Sequence, residues 1–209
     1  MKDSKQFWDK SAEKYVKSPI KDEATYQKKL AITQEYLNSD SHVLEFGCGS
    51  GGTAILHAPY VQHIVATDMS DKMIEMAQQK AIEAGVGNIC FQQGTLDNFN
   101  VQDESFDAVL GLNVLHLLED VGGAINKVHR LLKNEGVFVS STSLIGEVNI
   151  VLRWLISAMQ FLGLAPYVSR FTRSQLIAKL MEAGFCIERE WQTRHESVFI
   201  VAKKPTAPG

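Results

Sequence analysis

The chain predicts an α/β domain built on an open, doubly wound sheet. Three observations predict it. Short apolar runs, too brief for helices, alternate with amphipathic segments. The first such run, residues 42–46, is cut by the glycine-rich turn Gly47-Cys48-Gly49-Ser50-Gly51-Gly52. The second, residues 63–67, ends on an acidic residue, Asp68.

The elements follow in order. Residues 7–15 place Trp8, Ala12 and Tyr15 on one helical face, and residues 24–37 form a second amphipathic helix, so that residues 1–40 are N-terminal helices. The run 42–46 reads as a buried parallel strand. Gly47, Gly49 and Gly51 then remove side chains where the backbone turns and approaches a ligand, and a helix begins over 53–58 with its free N–H groups facing that ligand. A second strand ends at Asp68, and Ser70 caps a helix over 72–84. Residues 88–92 and 106–112 are the third and fourth strands, separated by a loop carrying Gly94, Thr95, Leu96 and Asp97. A helix over 120–132, a turn at 133–136 and a fifth strand over 137–142 follow. Residues 149–162 have helical periodicity with a broad face predicted to be buried. Thr172 caps the last helix, and residues 185–191 and 197–202 form a hairpin turning around Arg194 and His195.

Composition narrows the function classes. With 209 residues and no Pro/Ser-rich linker, residues 1–209 read as a single domain, and 45% hydrophobic with 22% charged residues is ordinary for a globular protein. A net charge of −3 argues against a surface that tracks phosphates. Three widely spaced cysteines, Cys48, Cys90 and Cys186, and the lack of an apolar N-terminal run predict a cytoplasmic protein without a transmembrane segment. No His/Cys spacing suggests a metal.

Chemistry concentrates around the glycine turn. Glu45, two residues before the first glycine, would meet a pyrophosphate with no cation between them, whereas it suits a ligand carrying an ammonium group. Asp68 lies 19 residues beyond Gly49, the spacing at which doubly wound folds set a carboxylate against a ribose diol. A strand-end turn aspartate is the plain alternative.

With Glu45, the three glycines and Asp68, the chain resembles the class I S-adenosylmethionine-dependent methyltransferases, and in particular their small-molecule, ubiquinone- and menaquinone-methyltransferase-like branch. The resemblance implies a Rossmann-like seven-stranded sheet in the order 3-2-1-4-5-7-6 with strand 7 antiparallel. It implies S-adenosyl-L-methionine as cofactor, S-adenosyl-L-homocysteine as product and a small, partly apolar methyl acceptor, with no nucleic acid, in a monomer or homodimer. Cofactor contacts are expected from Tyr15, Glu45, Gly47, Cys48, Gly49, Gly51, Asp68, Met69, Thr95, Leu96 and Asn113. Thr95 departs from the family pattern, which often has an acidic residue there, so a hydroxyl or Asp97 would serve the adenine amino group.

Two features remain open. Residues 144–171 are a helical insert that either covers the acceptor or packs against protein. His116, just past the fourth strand, either takes a proton from the acceptor or merely packs beside Leu115 and Leu117. Other chemistries compatible with the fold are an NAD(P)-dependent oxidoreductase and a catalytically silent binding module.

Overall fold

The structure, a computed structural model, describes residues 2–194 and 196–206. Two N-terminal helices, α1 (Lys2–Val16) and α2 (Glu23–Gln34), precede β1 (His42–Phe46). Thereafter strands and helices alternate: α3 (Gly52–His57), β2 (His63–Asp68), α4 (Asp71–Glu83), β3 (Ile89–Gln93), β4 (Phe106–Leu112), α5 (Val121–Leu131) and β5 (Leu132–Ser143). An insert carrying α6 (Ile150–Phe161) leads to α7 (Arg173–Glu182) and the hairpin β6 (Cys186–Arg194) and β7 (Ser197–Lys203). The predicted hairpin turn includes His195, which lies outside the described residues.

The sheet runs β3-β2-β1-β4-β5-β7-β6, as the resemblance implied. β1 to β5 pair in parallel, and β7 is antiparallel to both neighbours. Both faces are covered, which is why the central strands read as continuous apolar runs. On one face α5 and α7 bury Phe46, Val109, Phe138, Leu176 and Phe185. On the other, α3 and Ile74 of α4 pack on Val43, Ile64, Leu110, Val139 and Phe199, with Ile32 of α2 at the edge. Every parallel strand therefore ends at one edge of the sheet, where the order reverses between β1 and β4 and a crevice opens.

The helix starts follow side-chain chemistry. Ser70 Oγ accepts from the Met73 N–H at the head of α4, and Asp120 accepts from the Gly123 N–H at the head of α5. Thr172 and Gln175 form a reciprocal capping box on α7.

Two expectations are corrected. Residues 133–136, expected as a turn, continue β5: the Glu135 N–H bonds the Lys204 carbonyl, and the Lys204 N–H bonds that of Gly136, both at 2.9 Å. Glu135 takes the kink at φ 64°, and the buried Lys204 ammonium donates to the Leu132 carbonyl at 2.7 Å, so the ladder runs on through it. The other correction concerns α6, whose broad face was expected to be buried. None of its residues is buried; Trp154 is 72% and Phe161 90% exposed. Helical periodicity reports that a face is apolar, not that the fold supplies a surface to cover it.

Candidate functional site

A cavity occupies the crevice at the carboxyl ends of β1, β2 and β4, roofed by α1. Of the predicted residues, Tyr15, Gly47, Gly49, Asp68, Met69, Thr95, Leu96 and Asn113 line it. Glu45, Cys48, Gly51 and His116 do not. Trp8, Met73, Val114 and Leu117, which were not expected, line it as well, together with Pro166 and Tyr167 of the insert. Trp8 was legible in principle, since it shares the helical face of Tyr15.

The glycines of the turn serve three different ends. All three adopt positive φ, 66°, 53° and 74° at Gly47, Gly49 and Gly51, which side chains resist. A Cβ on Gly47 would stand 2.5 Å from Val114 Cγ2, so this glycine lets β1 and the β4 tip meet. A Cβ on Gly51 would stand 2.8 Å from the Phe91 ring and 2.9 Å from Ala77 Cβ, so that glycine lets α3 approach α4 and β3. A Cβ on Gly49 would meet no atom within 4 Å. Gly49 alone leaves its room to the cavity. Gly51→Ala is therefore expected to destabilise the protein by about 1 to 3 kcal/mol through overpacking, read as a fall of about 2 to 12 °C in Tm; an unchanged Tm would show that the helices move apart freely.

Cys48 ties the turn to β2 through its backbone. Its N–H bonds the Thr67 carbonyl at 3.0 Å, while burial pushes its thiol well up and leaves it neutral among apolar neighbours.

The electrostatics of the site centre on two carboxyl groups. Asp68 Oδ2 accepts from the Gly49 N–H and Oδ1 from the Ser70 N–H, each at 2.9 Å, so Asp68 clamps the glycine turn to the start of α4. Burial raises its pKa, and these two N–H groups oppose the rise. Glu45 is only 2% exposed, and burial first, then the Asp68 charge, push its carboxyl up to about 8. Its Oε2 is buried with no hydrogen-bond partner. Burial and a neighbouring carboxylate both favour the protonated form, and an arriving positive charge would favour the ionised one.

The roof is fastened to the same corner. Asp9 of α1 accepts from Ser70 Oγ at 2.6 Å, and Lys5 bridges Asp9 and Asp71 at 2.7 Å each. Trp8 and Tyr15 meet edge to face with ring centroids 5.8 Å apart over the cavity. At the far end, the Thr95 hydroxyl is buried in the wall without a partner.

Asn113 stands at the β4 tip in the left-handed region, φ 58°, with its N–H on the Ser141 carbonyl at 2.6 Å. His116 lies behind this tip. Its Nδ1 is 3.2 Å from Thr142 Oγ1, its carbonyl accepts from the Ser169 N–H at 2.7 Å, and Ser169 Oγ donates to the Leu118 carbonyl. Burial lowers its pKa to about 4. His116 thus meets the end of the insert through its carbonyl and β5 through its ring, and it does not line the cavity. Among the described residues no cluster of His, Cys, Asp and Glu could hold a metal ion, and no helix is long and apolar enough to cross a membrane.

Residues 44–140 match the methyltransferase domain family model. The chain is 37% identical over 110 residues to the uncharacterized methyltransferase YcgJ of Bacillus subtilis, covering 53% of this chain and 44% of the relative. It is 29% identical over 153 residues to a ubiquinone biosynthesis O-methyltransferase of Azorhizobium caulinodans, covering 68% and 58%. A demethylmenaquinone methyltransferase of Lactiplantibacillus plantarum is 30% identical over 110 residues, covering 51% and 46%. The chain spans about half the length of these curated relatives. The crystal structure of the Bacillus YcgJ protein superposes with a TM-score of 0.73 at 20% identity, covering 87% of this chain and all of that one, and so shares the fold. The glycine turn and the two carboxyl groups that flank it, Glu45 and Asp68, lie within the segment that matches the methyltransferase domain model, on a sheet of order β3-β2-β1-β4-β5-β7-β6.

Proposed function

We propose that the protein transfers a methyl group from S-adenosyl-L-methionine to a small, partly apolar molecule. The observation that carries this reading is Glu45, whose carboxyl is buried behind the glycine turn with its Oε2 left without a hydrogen-bond partner. The residues present fit the cofactor. Glu45 answers an ammonium, Asp68 accepts from a diol, Gly49 leaves room for the chain between them, and Thr95 offers its unused hydroxyl to the adenine edge. When bound, the cofactor supplies a methyl carbon activated by an adjacent sulfonium.

The protein's part is placement. Trp8 and Tyr15 on α1 exclude water from above, and Asn113 and Val114 bound the cavity at the β4 tip. Holding two reactants in line contributes on the order of 7 to 11 kcal/mol, which is consistent with a site rich in positioning groups. Pro166 and Tyr167 in the wall support a covering role for the insert, although α6 itself stands away from the cavity. Free Cys48, Cys90 and Cys186 suit a reducing, cytoplasmic setting. Calorimetric titration with S-adenosylmethionine and with NAD tests the reading: binding of NAD alone would overturn it, and methyl transfer to a panel of small acceptors separates an enzyme from a silent binder.

His116 has a positioning role in this reading. A ring held neutral down to about pH 4 and turned toward Thr142 is a weak proton acceptor for a ligand in the cavity. His116→Ala is expected to change single-turnover rates by less than about 10-fold. A fall of about 100-fold or more, together with loss of an acid limb near pH 4, would instead make the ring a base.

A further inference from the structure

A second cavity opens between α2 and the edge of β4 and β5, and it shares Leu112 and Asn113 with the cofactor cavity. Its walls are apolar at Leu30 and Leu112 and carry hydroxyls at Tyr26, Thr53, Ser141 and Ser143. Lys29 donates to Ser141 Oγ at 2.8 Å, and Ser141 Oγ donates to Asn113 Oδ1 at 3.4 Å. A polar path therefore runs from the cation on α2 to the residue at the boundary of the two cavities.

His57, the last residue of α3, stands in the same wall. It has no exposed surface, and neither ring nitrogen has a hydrogen-bond partner. Buried polar groups are normally satisfied, and an orphaned one calls for a partner from outside the chain. A neutral imidazole offers one donor and one acceptor. Burial lowers the His57 pKa to about 4, so the ring adds no positive charge at neutral pH. The lining then carries two ammonium groups, Lys21 and Lys29, against the one carboxylate of Asp22. A net charge of one positive unit amid hydroxyls and apolar walls suits a monoanion better than a phosphate dianion.

We propose that this second cavity seats the methyl acceptor, and that the acceptor is a small carboxylate whose anionic group meets Lys29 and whose other polar group meets His57. This rests on the methyltransferase reading above. The acceptor's reactive oxygen or nitrogen lies toward Asn113, where the cavities join. In the transfer its lone pair forms the new bond to carbon, the electron pair of the broken carbon–sulfur bond stays on sulfur, and the acceptor's proton passes to water.

The test titrates benzoate and phenylacetate, with their neutral isosteres benzamide and phenylacetamide, into the full chain with and without S-adenosylhomocysteine. The carboxylates are expected to bind the parent protein about ten-fold or more tighter than the amides. Lys29→Met should abolish that preference while leaving S-adenosylhomocysteine affinity unchanged, and His57→Phe should weaken all four probes. Should Lys29→Met fail to fold, Ser141→Ala removes only the hydroxyl that orients the ammonium, and it should reduce the preference about three-fold or more. No preference for carboxylates in the parent overturns the proposal. So does a Lys29→Met protein that keeps the preference and loses S-adenosylhomocysteine affinity, because Lys29 would then serve the cofactor's own carboxylate. If S-adenosylhomocysteine fails to bind the parent, the methyltransferase reading falls while the carboxylate series without it still judges the cavity.

Discussion

Glu45→Gln is expected to yield a protein that is more stable than its parent at pH 8 and much poorer at binding S-adenosylmethionine. The Glu45 carboxyl titrates near its ordinary value of 4.5 in the unfolded chain and at about 8 in the folded one. Below pH 4.5 it is protonated in both states, and its contribution to stability is fully present. As pH rises from 4.5 to about 8 the unfolded chain ionises and the folded one resists, so the parent loses stability across that window. Each pKa unit is worth about 1.4 kcal/mol, so the loss is of the order of several kcal/mol. Glutamine cannot ionise and escapes it. The gap in Tm between variant and parent, without cofactor, should widen from pH 4.5 to pH 8.

Binding should show the same carboxyl from the other side. An ammonium arriving beside Glu45 favours its ionised form, so near neutral pH cofactor binding should release a proton. Titration calorimetry in buffers of different ionisation enthalpy measures that release. Glu45→Gln should remove it and weaken binding by about 1.5 to 3 kcal/mol, the range for hydrogen bonds to charged groups. Equal affinity in the two proteins would sink the assignment, as would a Tm gap independent of pH.

Asp68→Ala is expected to weaken S-adenosylmethionine binding by about 1.5 to 3 kcal/mol, or roughly 10- to 150-fold. The structure adds a reason to the one the spacing supplied. Asp68 lines the cavity and also holds the Gly49 and Ser70 N–H groups, so its loss removes a ligand contact and frees the glycine turn on which the ligand would lie. Two bonds to a charged group leave the backbone, and Tm should fall by several degrees without cofactor. Unchanged affinity by calorimetry would reduce Asp68 to a turn residue.

Much of this protein is legible from order along the chain. The strand of residues 42–46, the glycines after it and Asp68 19 residues beyond Gly49 stand where the spacing placed them, because a parallel strand, a tight turn and a strand end are each specified by neighbours in sequence. The sheet order came from resemblance rather than from local pattern, since any strand of the right periodicity can take any place until others exclude it. Local pattern misled in two places for related reasons. The turn expected at 133–136 became strand because Lys204, distant in sequence, supplies the missing ladder partner. The apolar face of α6 found no cover, because periodicity names a face and not its neighbour.

The site divides the same way. Residue types and spacing alone pointed to Glu45, Gly49 and Asp68, since charge and lack of a side chain are properties of the residues themselves. Only the tertiary structure decided that Glu45 is buried with its Oε2 unpartnered, that Gly49 rather than Gly47 or Gly51 leaves open room, and that His116 turns to Thr142. It also brought Lys29 of α2, His57 of α3 and Ser141 of β5 around one cavity. Burial and desolvation depend on what the rest of the chain packs around a group, and that packing joins residues from elements far apart in sequence.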